Sequence, residues 1–189
     1  GVNNQFVMKY SPADYPDFEI RNIASGGCVW TGAGTSHVMK FPTNAQLTVS
    51  SDTSSDSPNE NMTSSVFRLT YGKFNYYAGG DLVSNNPSMF SIYPWRDAEA
   101  PVADVVGEVE VMKANHHGSV DGNTQYMLDK LHPQAIIVNA WRTVQPRVST
   151  YERLKASDAD LFTTSMDSSY ATRYSDAGKS FSSKEGHYI

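Results

Sequence analysis

Residues 109–119 read VEVMKANHHGS, and the fold of this chain turns on that stretch. Val109, Val111 and Met112 give an apolar run of strand length at 109–114, and Asn115-His116-His117-Gly118-Ser119 follows at its C-terminal end. Downstream, 123–131 has helix-forming composition, with Tyr126-Met127, Lys130 and Leu131 setting its faces and His132-Pro133 stopping it. An apolar strand is expected at 135–139, a helix at 148–156 and a strand at 161–164. Strand, helix, strand, helix, strand is the signature of α/β layering.

Upstream, Phe67, Leu69 and Tyr71 alternate with Arg68 and Thr70, and Gly72-Lys73 separates them from Phe74-Asn75-Tyr76-Tyr77. This predicts a β-hairpin from Val66 that ends at Gly79-Gly80-Asp81. Residues 83–107 carry Pro87, Pro94, Pro101 and Gly107, which predicts an irregular excursion with one short helix at 98–105. The polar run 49–62 reads as a loop, because Ser, Asp and Asn compete with regular backbone pairing. Residues 1–48 alternate apolar patches, Phe6-Val7-Met8, Phe18-Glu19-Ile20 and Cys28-Val29-Trp30, with Pro and Gly turns, and predict short strands and loops.

The 189 residues suit one domain spanning 1–189, and the composition, 39% hydrophobic and 19% charged, is globular. A net charge of -5 argues against a broad basic surface and so against general nucleic-acid binding. Cys28 is the only cysteine, which excludes an internal disulfide and a thiolate-rich zinc site. No apolar run reaches membrane-spanning length, so no membrane partner is expected. A first residue Gly1 without Met suggests an artificially cleaved or a processed chain, so an upstream segment, including any targeting signal, could have been removed.

Two features lie at strand ends, where α/β folds place function: Asp81 after the hairpin and His116-His117 after the next strand. Carboxylate oxygen and neutral imidazole nitrogen suit zinc or manganese, and Gly79, Gly80 and Gly118 let backbone approach closely. As residue types alone, a Gly-Gly-Asp is also an ordinary turn and paired histidines an ordinary surface loop.

The order of the blocks adds to this reading. PNENMTSSVFRLTYGKFNYYAGGDL (58–82), then VEVMKANHHGS and LHPQAIIVNAW (131–141), resembles the ComEC-like branch of the metallo-β-lactamase superfamily over residues 57–166. The matching positions are Asn59, Gly80-Asp81, Lys113, His116-His117-Gly118-Ser119 and Pro133. The resemblance implies the C-terminal half of an αββα sandwich, a mixed β-sheet with flanking helices. It also implies a bacterial metal-dependent hydrolase, cytoplasmic or exported, with two divalent ions, zinc or manganese, and a phosphodiester or other ester-like substrate. Asp81 would bridge the two ions, and His116, or His117 as the alternative, would bind the second. Lys113 would hold the strand edge, and Ser119, Gln145 and Arg142 would face the substrate.

The chain departs from that family in lacking the upstream His-x-His-x-Asp-His cluster, which supplies most of the ligands. His37, His132 and His187 do not replace it, although His37 could stand as a separate single ligand. Gln145-Pro146 stands where relatives carry His-Pro, and a glutamine cannot relay protons near neutral pH. Trp141 and Arg142 could line a pocket, or be a core Trp and a solvated Arg. Two ligands do not hold a catalytic ion, so this chain alone is expected to be inactive. Half a sandwich leaves a sheet face uncovered, which, unless residues 1–48 cover it, predicts a homodimer or association with the missing N-terminal half. The competing expectation is a non-catalytic interaction or scaffold domain that retained the fold. Arg142, Arg147, Arg153 and Lys155 could form a nucleic-acid patch or simply a solvated helix face.

Overall fold

A computed structural model describes residues 14–41, 60–84, 94–140, 144–164 and 182–183. The expectations for Phe6-Val7-Met8, Asn59, Trp141, Arg142, His187 and most of the polar run lie outside these residues.

The described chain is α/β, with one mixed nine-stranded sheet and three helices. The strands are β1 (Phe18–Ser25), β2 (Cys28–Trp30), β3 (His37–Met39), β4 (Val66–Tyr71), β5 (Phe74–Ala78), β6 (Val111–Lys113), β7 (Ala135–Val138), β8 (Asp160–Thr163) and β9 (Ser182–Ser183). Their order across the sheet is β3-β2-β1-β4-β5-β6-β7-β8-β9. Pairing is antiparallel from β3 through β5 and parallel from β5 through β9. The helices are α1 (Glu99–Val106), α2 (Gln125–Leu131) and α3 (Val148–Ala156).

The alternation at Phe67, Leu69 and Tyr71 does form β4, and Gly72-Lys73 makes the hairpin turn into β5. The strand expected at 109–114 is shorter, because Val109 and Glu110 already bond outside the ladder: Val109 N–H donates to Leu131 O, and Glu110 N–H to Asn75 O. Helix α2 begins two residues later than expected, since Thr124 caps it by accepting from Met127 N–H. Within the N-terminal region, β1 spans eight residues and carries a bulge at Ile23, which turns that side chain into the core. The end of the polar run is ordered as a 3-10 turn at Glu60–Thr63 rather than a loop.

Tyr77, Met112, Ile136 and Leu161 are register partners on successive strands, so they share one face. All four are buried and join one core with Val102 and Val106 of α1, Leu128 and Leu131 of α2, and Tyr151 and Leu154 of α3. The three helices therefore cover that face. Tyr76, Val111, Ile137 and Phe162, which alternate with those positions, are only half-buried on the opposite face. Among the described residues no helix is long and apolar enough to cross a membrane.

Candidate functional site

Asp81 follows β5 and the His-His pair follows β6, and these strands pair in parallel, so both features arrive at the same edge of the sheet. This is also where antiparallel pairing gives way to parallel. Gly79 is required for the approach. A Cβ there would lie 2.1 Å from the Tyr77 hydroxyl and 2.4 Å from Asn115 Oδ1. Gly80 takes a φ of 60°, and its carbonyl accepts from Lys113 Nζ at 2.7 Å and from His116 N–H at 3.2 Å. Lys113 thus ties the two strand ends together, as expected of it. Burial lowers its pKa, with the Asp81 charge acting in the opposite direction.

His116 (φ 45°, ψ 44°) and His117 (φ 56°, ψ 22°) are consecutive left-handed residues, followed by Gly118 at φ 75°. Such a conformation costs non-glycine residues roughly 1–2 kcal/mol each and persists only where the surroundings impose it. Here they do. Asn115, just before the turn, is fully buried; its N–H donates to Asn123 Oδ1 at 2.7 Å, and Asn123 Nδ2 donates back to Asn115 O at 2.9 Å. Asn115 Nδ2 donates to Glu99 Oε1, and its Oδ1 accepts from the Tyr77 hydroxyl. Fully buried Glu99 also accepts from the backbone N–H of Asn123 and of Thr124. After the turn, Gly118 O accepts from Arg147 N–H, and Pro146 packs where a Gly118 side chain would have to sit.

The two imidazoles face different partners. His117 Nδ1 lies 2.7 Å from the backbone carbonyl of Asn139, which can only accept, so Nδ1 carries the proton. His117 Nε2 then turns toward Asp81 Oδ1 at 3.4 Å. His116 Nδ1 is 3.0 Å from Asp121 Oδ1, and its Nε2 is 3.4 Å from Asn61 Nδ2. Of the two histidines left open as alternatives, His117 rather than His116 faces Asp81, because the left-handed turn sends successive side chains in different directions. An open polar pocket of about 460 Å³ lies beside Asp81, lined by Glu60, Asn61, Thr63, Ser64 and Gly80.

Of the residues expected to meet substrate, Ser119 contributes its backbone, donating to His116 O and accepting from Thr150 Oγ1. Gln145 precedes the Pro146 that packs on Gly118, which brings it to the same turn. Arg142 lies outside the described residues. Arg153 is neither a solvated residue nor free for nucleic acid: its guanidinium donates to Gly122 O, Asn123 O and Thr150 Oγ1. His37 sits on exposed β3, with β2, β1 and β4 between it and β5, so it is not a partner of Asp81. His132 caps α2 in the left-handed region and faces Glu108 at 3.6 Å. Sequence reasoning missed Glu99, Asn115, Asn123, Asp121 and Asn61, and no local pattern marks them.

The pair of His117 and Asp81 can be joined by a proton on Nε2, as an ion pair, or, with the imidazole neutral, by a cation between the two atoms. Ligand bonds of about 2.0–2.2 Å at a tetrahedral angle hold two ligand atoms roughly 3.4 Å apart, so this pair fits two positions of a zinc-like shell. The backbone carbonyl on Nδ1 is the usual means of fixing a ligating histidine. Among the described residues, no group of three or more His, Cys, Asp and Glu converges. No protein-family model matches the chain, and no curated protein is detectably similar to it.

Proposed function

We propose that this chain provides part of the metal site of a metallo-β-lactamase-type hydrolase, with Asp81 and His117 as ligands and the remaining ligands contributed from outside the described residues. The observation that carries the reading is the orientation of His117: Asn139 O takes the Nδ1 proton, and Nε2 faces Asp81 Oδ1 at 3.4 Å. A divalent ion, zinc or manganese, supplies Lewis acidity for hydrolysis of a phosphodiester or other ester-like bond. The chain's own part is to hold the imidazole in one tautomer, to anchor the turn through Asn115, and to set the carboxylate against it through Lys113 and Gly80. Gln145 beside the turn can hydrogen-bond substrate but not relay protons, and His116, held by Asp121, faces Asn61.

Within this reading, the half-buried face of Tyr76, Val111, Ile137 and Phe162 packs against a second sheet, from an upstream half or a second copy. The sequence as given then binds metal weakly and does not hydrolyse ester bonds by itself.

The test is titration with Co2+ followed by NMR. Paramagnetic broadening is expected to centre on Asp81 and His117 and to weaken in Asp81→Asn and His117→Gln. Broadening spread over His37 and His132, or unaffected by those two substitutions, overturns the ligand assignment. It would favour the alternative, a non-catalytic scaffold, a reading consistent with the absence of a third converging group among the described residues.

A further inference from the structure

On the antiparallel side of the molecule, between β1, β2 and the start of α1, lies a cavity of about 240 Å³ that the metal reading does not use. An engineered apolar cavity of about 150 Å³ admits benzene, so this one holds an aryl ring with several further atoms. Its walls are mainly apolar: Met62, Leu82 and Val102 are buried there, and Phe41 and Trp95 meet edge to face with ring centroids 5.6 Å apart.

The aromatic wall is fixed rather than adventitious. The N–H groups of Lys40 and Phe41 both donate to Gly27 O, and a Cβ on Gly27 would lie 2.3 Å from Phe41 Cβ. Gly27 is also at φ 82°, so glycine alone lets Phe41 lie over this turn. Two charged side chains line the cavity, and they differ in commitment. Asp97 already accepts from Ser84 Oγ at 2.7 Å and from Ala100 N–H at 3.0 Å in the first turn of α1. Lys40 is exposed and lines the cavity, and its charge is one of several that help hold the Asp104 carboxyl below its usual range.

We propose that this cavity binds a small amphipathic organic anion, an aryl or short-acyl carboxylate. Its apolar body sits between Phe41, Trp95 and Met62, and its carboxylate pairs with Lys40. A cation lining an apolar pocket whose one lining carboxylate is internally satisfied selects for a negative head group, since a neutral one gains no charge-assisted contact. The site is distinct from the Asp81 pocket, with Ser64 lining both.

The experiment is a metal-free titration of the chain with 4-phenylbutyrate, followed by amide shifts, so its outcome does not depend on metal binding. Saturable shifts are expected at Gly27, Met62, Leu82 and Val102. The neutral 4-phenylbutyramide should bind about tenfold more weakly. Lys40→Met should reduce the carboxylate to the affinity of the amide, and Ala100→Leu, which places a larger side chain in the cavity, should abolish binding while retaining a folded spectrum. Absence of saturable shifts at these amides in the wild-type chain overturns the proposal. Equal affinity for carboxylate and amide, or an unaltered preference in Lys40→Met, overturns the anionic head group.

Discussion

The two sides of the sheet's strand order are built differently. The parallel side, β5 to β8, carries a buried residue on each strand beneath α1, α2 and α3, whereas on the antiparallel side β3 is exposed throughout, with Met39 at 57%. A strained, polar turn is affordable only on the first. There the hydrogen bonds that hold Asn115 and Asn123 are sheltered from water, and a buried carboxylate can bring distant backbone donors together. The antiparallel side carries the more exposed contacts of Arg21 with Glu19, Gly34 O and the Trp30 ring, and offers an apolar cavity.

The largest expected effect tests that contrast directly. Glu99→Ala leaves Asn115 Nδ2 and the N–H groups of Asn123 and Thr124 without their acceptor, and should cost about 3–5 kcal/mol in urea unfolding. A loss below 1 kcal/mol would show that the network is not what supports the turn. Glu99→Gln is gentler. Oε1 takes Asn115 Nδ2 and Asn123 N–H while Oε2 takes Thr124 N–H, so the amide would turn its NH2 toward Thr124, at about 1–3 kcal/mol.

The same pair of proteins sharpens the comparison through pH. Burial raises the Glu99 carboxyl above its ordinary 4.5, against the opposing effect of its hydrogen bonds. Between 4.5 and the raised native value, the folded state binds more proton than the unfolded chain. The Glu99 contribution to stability is therefore greatest below that window and declines as pH rises through it. The stability advantage of wild type over Glu99→Gln should narrow accordingly in unfolding curves taken from pH 4.5 upward. A widening gap would mean that the donors outweigh burial.

Smaller effects follow. Thr124→Ala removes the cap on α2 and should lower stability by about 1 kcal/mol, read from the denaturation midpoint. Val38→Lys or Met39→Lys on exposed β3 should stay within about 0.5 kcal/mol in the same assay, and a larger loss would reveal packing on that edge.

Much of the fold was legible from residue patterns. Strict alternation in β4, the Gly72-Lys73 turn and the boundaries of α3 all follow from local chemistry. The short β6 was less so, because a longer apolar run spends Val109 and Glu110 on bonds to Leu131 and Asn75. At the site, the strand ends bearing Asp81 and the two histidines were legible. The anchoring residues were not, since Glu99 meets Asn115 and Asn123 only after α1 has packed against the end of β6.

The order of strands and helices, and the placement of a carboxylate and two imidazoles at strand ends, were determined by the sequence, because period, turn residues and chain stops act over a few neighbours. Which imidazole faces Asp81 was decided by tertiary structure alone. His117 takes its tautomer from a carbonyl 22 positions along the chain, and its direction from a left-handed turn that its own residue type disfavours. Adjacent identical side chains differ only through such long-range partners, and those exist once the sheet and its helices have assembled.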